Sequence, residues 1–392
     1  LTSSTAEPLR LLLVISNLSI AGSQQQLLTL ATHLDKSKFT TEVCTLSPSG
    51  ELELEFGKLG IPLWRIARVF RWGPEVFFRF ARLCRQRRIQ VVHSYLDFDN
   101  LVSRIGGRLG GVPLIISSER SANYVLPGLK ELFDRLTIGL ADLVITNSSA
   151  GKQFLIEKKR VRRHRVKVIH NSIDPNRLHT DKEPGDIRRQ FGIPADAVLI
   201  GMVAERRTEK NFGLFFDVAD VITSTYKNAW FLQVGGLAPT FEKYNTWVER
   251  RHGDLPYKRR IILGGRFEDM GALYRDLDIL LLTSDREGFS NVLMEGMVSG
   301  LPVVATDVGD NAEMVDHGGG FLTPLKEKRP MVEALTRLIT NDDVRREMSE
   351  YNRKKAGEQF SVHRLVSETE EVILQAYRAK MGTSTRQSAA TI

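Results

Sequence analysis

Cysteine is almost absent from this chain of 392 residues: Cys44, in a strand-like run, and Cys84, in an arginine-rich helical stretch, are the two it has. With no paired or metal-type spacing, neither a disulfide framework nor a zinc site is expected, and a reduced, cytoplasmic setting is. Long apolar runs are missing too. None approaches the ~20 residues that cross a bilayer. Leu11–Ile15 follows Arg10 but is too short for a signal-peptide core, and it reads as a first strand. No Gly-x-Gly-x-x-Gly turn follows the strand-like Leu9–Ser16, where only Gly22 appears, which weighs against a dinucleotide-dependent oxidoreductase. There is no internal repeat, and no recognition motif accompanies the basic residues, so nucleic acid is not an expected partner.

What is present is the composition of a globular protein, 42% hydrophobic and 26% charged, long enough for two domains. The net charge of +8 is unevenly placed. Residues 1–180 carry 26 Lys and Arg against 15 Asp and Glu, whereas residues 181–392 carry 29 against 32. Arg65, Arg68, Arg71, Arg79, Arg82, Arg85, Arg87 and Arg88 are interleaved with Trp64, Phe70, Trp72, Phe77, Phe78 and Phe80. Two readings fit this stretch: an anionic membrane surface met by exposed aromatics and cations, or core aromatics beneath a solvated basic face. A second basic run, Glu157–Lys167, reads as a helix end or loop.

Strand-like and helical segments alternate along the chain, which predicts parallel sheets with helices on both faces. Leu9–Ser16 opens the series, followed by a small-residue loop, Asn17–Ser23, and a helix, Gln24–Leu34. The alternation continues to a strand at Lys167–Ile169. Asn176–Asp196 then loses the apolar pattern and is rich in Pro, Gly and charge, the best domain boundary. A second α/β series starts at Val198–Val203 and ends in an amphipathic helix, Val362–Ala379. The expected divisions are 1–178, 179–362, a helix over 363–380, and a disordered tail over 381–392.

The densest stretch is Leu280–Gly309. It reads as a buried strand, a polar loop with Asp285, Arg286 and Glu287, a helix capped by Ser290, and a strand at Leu301–Ala305. In such a βαβ unit the loop and first helical turn lie at the carboxyl ends of the strands, where open α/β sheets bind ligands. Helix-start amides at Ser290, Asn291 and Val292 suit a phosphate or a sugar hydroxyl. Glu295 lies roughly one to one and a half turns below Glu287. Two carboxylates at different depths suit an elongated, hydroxyl-rich ligand.

These features resemble the retaining, GT-B-fold group 1 glycosyltransferases over nearly the whole chain, to about Lys380. Ala21-Gly22-Ser23-Gln24 is similar to that family's Gly-rich first loop, with Ala21 in place of a glycine. Val144–Ser149, Val168–Asp174 with Ser172 in place of glycine, Gly264-Gly265-Arg266 with Asp269, and Tyr274 with Asp278 follow in order. Glu287 to Glu295 with Gly300–Val304 is the strongest match, and Phe360-Ser361 resembles the segment that crosses back to the first domain. One departure matters: Glu205 stands where the family places an arginine five residues before Lys210. Beside a pyrophosphate a carboxylate is repelled, so Glu205 is expected to turn away, with Arg206 or Arg207 supplying the cation.

The resemblance implies two Rossmann-like domains facing a central cleft, a C-terminal helix crossing back, a nucleotide-sugar donor (UDP- or GDP-sugar) and a glycan or lipid-linked acceptor. Glu287, Lys210 and Arg207 are the catalytic candidates. Cations are needed because the leaving diphosphate gathers negative charge. Glu295 would accept hydrogen bonds from the ribose, and Arg206, Gly288, Phe289, Ser290, Asn291, Val292 and Arg266 would complete the donor site. Gly22, Ser23, His93, Asp97, Asp99, Glu119 and Arg120 fall at or just after strand ends of the first domain as acceptor-side candidates, although His93 also reads as a packed strand residue. Asp97-Phe98-Asp99 and Asp276-Leu277-Asp278 read as a helix cap at Asp99 and a helix-to-strand junction, so neither a metal nor another cofactor is expected. A peripheral position on the inner face of a membrane accompanies the lipid-linked acceptor. An epimerase on the same architecture and a donor-binding relative that has lost catalysis through Glu205 remain open alternatives.

Overall fold

The computed structural model describes residues 7–47, 50–66, 73–120 and 128–389. It divides into two compact units: Leu1–Ser172 with Val362–Ile392, and Ile173–Ser361. The division therefore falls at 172/173, ahead of the expected 178.

The first unit begins with β1 (Leu9–Ile15), α1 (Gly22–His33), β2 (Phe39–Thr45), α2 (Glu53–Lys58), β3 (Leu63–Arg65) and α3 (Glu75–Arg87). It continues with β4 (Val91–Ser94), α4 (Asp97–Gly110), β5 (Leu114–Glu119) and α5 (Leu129–Thr137). Then come β6 (Leu143–Thr146), α6 (Ser149–Glu157) and β7 (Val166–Val168). All pairings are parallel, in the order β3-β2-β1-β4-β5-β6-β7. The continuous apolar run of β1 is explained by covering on both faces. Leu11, Leu13 and Ile15 pack with Leu27 and Leu30 of α1, whereas Leu12 and Val14 pack with Phe80, Cys84 and Val102 of α3 and α4. Both cysteines are buried free thiols in that second cluster, where burial pushes Cys84 up to about 12.

The second unit holds α7 (Asp186–Phe191), β8 (Val198–Val203), α8 (Phe212–Thr225), β9 (Ala229–Val234), α9 (Glu242–Gly253) and β10 (Ile261–Leu263). After these come α10 (Met270–Asp276), β11 (Ile279–Leu282), α11 (Asn291–Val298), β12 (Val303–Thr306) and α12 (Asn311–Met314). β13 (Gly320–Thr323), α13 (Lys328–Ile339) and α14 (Asp342–Gln359) complete it. Its parallel sheet runs β10-β9-β8-β11-β12-β13, so the order reverses between β8 and β11. At such a reversal the loops leave the sheet in opposite directions and a crevice opens at the strands' carboxyl ends.

The chain then returns to the first unit as α15 (Val362–Ala389). Leu365, Val366 and Ile373 join the cluster on the α1 face, and Glu370 accepts the Asp35 amide at 2.7 Å and the Lys38 ammonium at 2.7 Å. The helix runs on to Ala389, so the tail expected to be disordered from 381 is helical over most of its length. Among the described residues, no helix is long and apolar enough to cross a membrane.

The charge-rich segment 176–196 is not a loose linker. Buried Asp276 accepts the backbone amides of Gly185 at 3.0 Å and Ile187 at 2.9 Å, anchoring the start of α7. Asp278 accepts Arg188 and the Leu199 amide, each at 2.7 Å. This Asp-x-Asp therefore stitches the unit's entry to its sheet. Asp276→Ala leaves two amide donors without their acceptor and is expected to cost about 2–4 kcal/mol, with Asp276→Asn costing roughly half. A lowered urea midpoint in denaturant unfolding measures this, and an unchanged midpoint for the alanine variant refutes it.

Candidate active site

The site in the second unit is built from the loops that leave β8, β11 and β12. Asn211 fixes the first. In a left-handed conformation (φ 46°), it caps α8 by accepting the Leu214 amide at 3.0 Å and donates Nδ2 to Asp285 of the second loop at 2.8 Å. Two further bonds join these loops: the Asp285 amide donates to the Glu209 carbonyl at 2.8 Å, and the Thr283 hydroxyl to the Lys210 carbonyl at 2.9 Å. The third loop braces the second through the Asp310 amide, which donates to the Gly288 carbonyl at 3.0 Å. Gly309 permits that approach. Its φ is +58°, and a Cβ there would lie 2.3 Å from the Glu287 carbonyl oxygen.

This bracing brings Lys210 Nζ to 2.6 Å from Glu287 Oε1, which also accepts the Ser284 hydroxyl at 2.7 Å. Both partners of the ion pair are partly buried, which strengthens their attraction relative to a surface pair. Beside them begins α11, capped by buried Ser290, whose hydroxyl accepts the Leu293 amide at 3.4 Å. Gly288, Asn291 and Val292 thus flank a helix N-terminus, where aligned amides favour an anion. Phe289 is a packing residue, edge-on to Phe360 at 5.5 Å between ring centroids.

Glu295, one turn into α11, accepts the hydroxyl of fully buried Tyr274 at 2.8 Å. Burial pushes its carboxyl above the ordinary range; the Tyr274 bond and the charge of Arg177 oppose that shift. The tyrosine hydroxyl is itself pushed well up by burial and by the neighbouring carboxylate.

The other expected cations are engaged elsewhere. Arg206 is buried and ion-paired with Glu249 of α9. Arg207 is half-exposed, 3.0 Å from Glu205 and 3.7 Å from Glu209. Glu205 therefore does not stand as a bare negative charge. Arg266 is exposed, after Gly265 in a left-handed conformation. Among the described residues, the cation bonded to Glu287 is Lys210. The roles of Ser284, Asn211 and Asp285 are absent from the sequence reading; an Asn immediately before an apolar helical run was the available signal for the cap.

The first-unit candidates lie at the ends of β1, β4 and β5. Gly22 and Ser23 open α1, and Asn17 braces their loop by accepting the Ser19 hydroxyl at 2.7 Å and the Gln24 side-chain Nε2 at 3.0 Å. His93 is a core residue: its Nε2 is 2.8 Å from the Ser118 hydroxyl, and burial, aided by the Arg120 charge, pulls it down to about 3. Neutral at ordinary pH, it is the packed strand residue of the second reading. Arg120 lies over the Tyr95 ring and donates to Asn171 at 2.6 Å. Asp99 does not cap a helix. The cap position is Leu96, Asp97 starts α4, and buried Asp99 accepts the Ser16 hydroxyl at 2.5 Å.

Glu119 belongs to a buried cluster that sequence reasoning missed. Arg104 of α4 donates to Ser117 at 2.9 Å and to Asp134 of α5 at 2.6 Å. Lys159 donates to Asp134 at 2.5 Å, and Glu119 lies 3.5 Å from Lys159 and 3.8 Å from Arg104. Two cations and two carboxylates thus neutralise one another below the ends of β5 and β6.

Ionising Glu295 opposes folding, because its folded-state pKa is raised: the stability present at low pH is lost as pH rises through that value. Glu295→Gln keeps an acceptor for Tyr274. It is expected to raise the melting temperature by a few degrees near about pH 8 and to leave it nearly unchanged near about pH 4. Scanning calorimetry at both values checks this, and an equal change at each refutes it.

Two family models match this chain, one for each half. Residues 20–177 match glycosyltransferase family 4, and residues 185–355 match glycosyl transferases group 1. The UDP-Gal:alpha-D-GlcNAc-diphosphoundecaprenol alpha-1,3-galactosyltransferase of Escherichia coli is 24% identical, over 75% of this chain and 77% of its own length. The N-acetyl-alpha-D-glucosaminyl L-malate synthase of Bacillus anthracis is 25% identical, over 79% and 82%. Among solved structures, Anabaena HepE in complex with UDP aligns with a TM-score of 0.81 at 19% identity, over 94% of this chain and all of its own. The shared fold is GT-B. With both halves matched in order and the loop cluster in the expected unit, this chain belongs to the group 1 glycosyltransferases.

Proposed function

We propose that this protein is a retaining glycosyltransferase that moves a hexosyl group from a UDP- or GDP-sugar to a glycan or lipid-linked acceptor. The observation that carries the reading is the Lys210–Glu287–Ser284 cluster beside the start of α11, at the reversal of strand order. Without donor, Glu287 neutralises Lys210. A diphosphate arriving at the α11 end competes for that ammonium and frees the Glu287 carboxylate for the sugar hydroxyls. As the bond between the anomeric carbon and the phosphate oxygen breaks, Lys210 and the helix amides take up the charge. The acceptor oxygen then bonds to the same face of that carbon, and its proton passes to the leaving diphosphate. Neither a divalent metal nor another cofactor is part of this scheme.

Glu295, kept partly desolvated beside Tyr274, fits a ribose, since a carboxylate accepts from two adjacent hydroxyls. UDP in the HepE complex and UDP-Gal in the name of the Escherichia coli relative favour a uridine donor. That relative's diphosphoundecaprenol-linked acceptor favours a lipid-linked one here, and with it a peripheral position on an anionic membrane surface, on the cytoplasmic side.

A thermal-shift screen of UDP-, GDP- and ADP-sugars identifies the donor, because a tighter ligand stabilises the folded state more. Lys210→Ala is expected to lower turnover at least about 100-fold and to shrink the shift given by the best donor. An unchanged rate overturns the site assignment. Glu205→Arg is expected to leave turnover within a fewfold, since Arg207 already neutralises Glu205; a large gain identifies Glu205 as a lesion in a donor-binding relative. Interconversion of the donor sugar without transfer, seen by NMR of the products, identifies an epimerase.

A further inference from the structure

Helix α5 is oriented against its own apolar residues. Leu132, Phe133 and Leu136 are 50%, 47% and 68% exposed, and Leu140, just beyond the helix, is 38% exposed. At positions i, i+1, i+4 and i+8 they share one face. The face turned inward carries Asp134 and Thr137. An amphipathic helix on a globular core ordinarily does the reverse. Its orientation is fixed by charge: Asp134 is held by Arg104 and Lys159, both buried, and rolling α5 to bury its leucines would strand those two cations.

The apolar face ends in a dense group of cations. Arg108 and Lys380 both donate to Asp142 Oδ1, at 2.6 and 2.5 Å. Arg165 donates to the carbonyls of Asp142 and Gly139, each at 3.2 Å. Arg162 is exposed and close enough to Arg165 to repel it. Three cations thus gather at the Asp142 carboxylate, with Arg162 beside Arg165, next to exposed Leu140. By contrast, the described aromatics of the stretch singled out from sequence are mostly used up inside the unit, while Arg79, Arg82, Arg85 and Arg88 of α3 stay exposed. Phe80 is core and Phe77 packs against the core. Trp64 donates to Glu42 at 2.6 Å beneath Arg87. Phe78 is exposed, and Arg68, Phe70, Arg71 and Trp72 lie outside the described residues.

We infer that the outer face of α5, with Leu140 and the adjoining Arg108–Arg162–Arg165–Lys380 group, is the surface by which this protein docks on an anionic lipid bilayer. This docking face rests on the membrane-facing reading above and gives it a place. Apolar side chains enter the acyl boundary while the arginines and lysine meet headgroup phosphates, the division of labour of an interfacial helix. A protein partner would also be served by the leucines, but a group of four cations with a single carboxylate among them matches a sheet of phosphates better than a mixed protein surface.

Vesicles of phosphatidylcholine, with and without phosphatidylglycerol, give the test by co-flotation of the full chain at low and high salt. Binding is expected with phosphatidylglycerol only, and weaker at high salt. Leu132→Ser with Leu136→Ser is expected to weaken it by roughly tenfold per leucine, with an unchanged melting temperature, because both side chains are exposed. Arg162→Glu with Arg165→Glu is expected to weaken it comparably at low salt. If the unsubstituted protein binds neither vesicle, the membrane-facing reading itself fails. If it binds and the leucine variant binds equally well, while Phe78→Ser does not, the reading stands and the assignment to α5 is overturned. A dimer in sedimentation that Leu136→Ser dissolves and vesicles do not compete with would assign the face to a second copy of the chain instead.

Discussion

The loops that carry Lys210 and Glu287 depend on one constraint, the close parallel pairing of β8 with β11. Ile279 lies opposite Ile200 and Leu280 opposite Gly201. Gly201 has no side chain because the space is taken: a Cβ there would meet Leu277 at 2.2 Å. With the strands in this register, the chain leaving β8 and the chain leaving β11 emerge side by side and can be joined by short polar bonds. Asn211 to Asp285 and Thr283 to the Lys210 carbonyl are those bonds. The Lys210–Glu287 pair is then a consequence of where two strands end, and that end is the point at which strand order reverses. Gly235 serves the same purpose from β9, since a Cβ there would lie 1.9 Å from the Ala204 carbonyl.

What could be read from sequence follows how local each signal is. The apolar runs of β1 and β11 announced strands covered on both faces, and Ser290 announced the start of α11, because both signals lie within a few residues of what they specify. Pairings with distant partners were not legible. Arg206 finds Glu249 on α9, and nothing near Arg206 in sequence indicates that it turns there. Asp134 looks like an ordinary surface acid on an amphipathic helix until Arg104 and Lys159 are folded beneath it. The same holds at 176–196. Its composition marked a domain boundary, but nothing in it showed that Asp276 and Asp278 bind its backbone and Arg188. Very short elements such as α2 and α12 carry too few residues to show a period.

Two buried or partly buried ionisable groups show opposite uses of desolvation. His93 is held neutral deep in the sheet, and its low pKa reflects packing with no ligand in view. Glu295 is desolvated one turn into α11, with a tyrosine hydroxyl to share its charge. The distinction lies in position. A carboxylate in the first turns of a helix that begins at a loop junction can exchange its protein partner for a ligand's hydroxyls, whereas a histidine in mid-sheet cannot.

The Lys210 loops and α5 also differ in how their charges are made available. At the Lys210 loops, Lys210 and Glu287 are partly buried partners, and separating them costs more than the roughly 1 kcal/mol of an exposed pair but less than breaking a fully buried one. A diphosphate brings two charges to the ammonium and an adjacent helix end, enough to offset that separation. Beneath α5 the arrangement is the reverse. Arg104, Lys159, Asp134 and Glu119 are buried, and removing one partner of such a cluster typically costs about 3–5 kcal/mol. The first pair is therefore suited to being broken, as the proposed function requires of it, and the second cluster to never being broken. That permanence is what a docking face requires, because leucines held toward solvent would otherwise roll inward and be lost to the core.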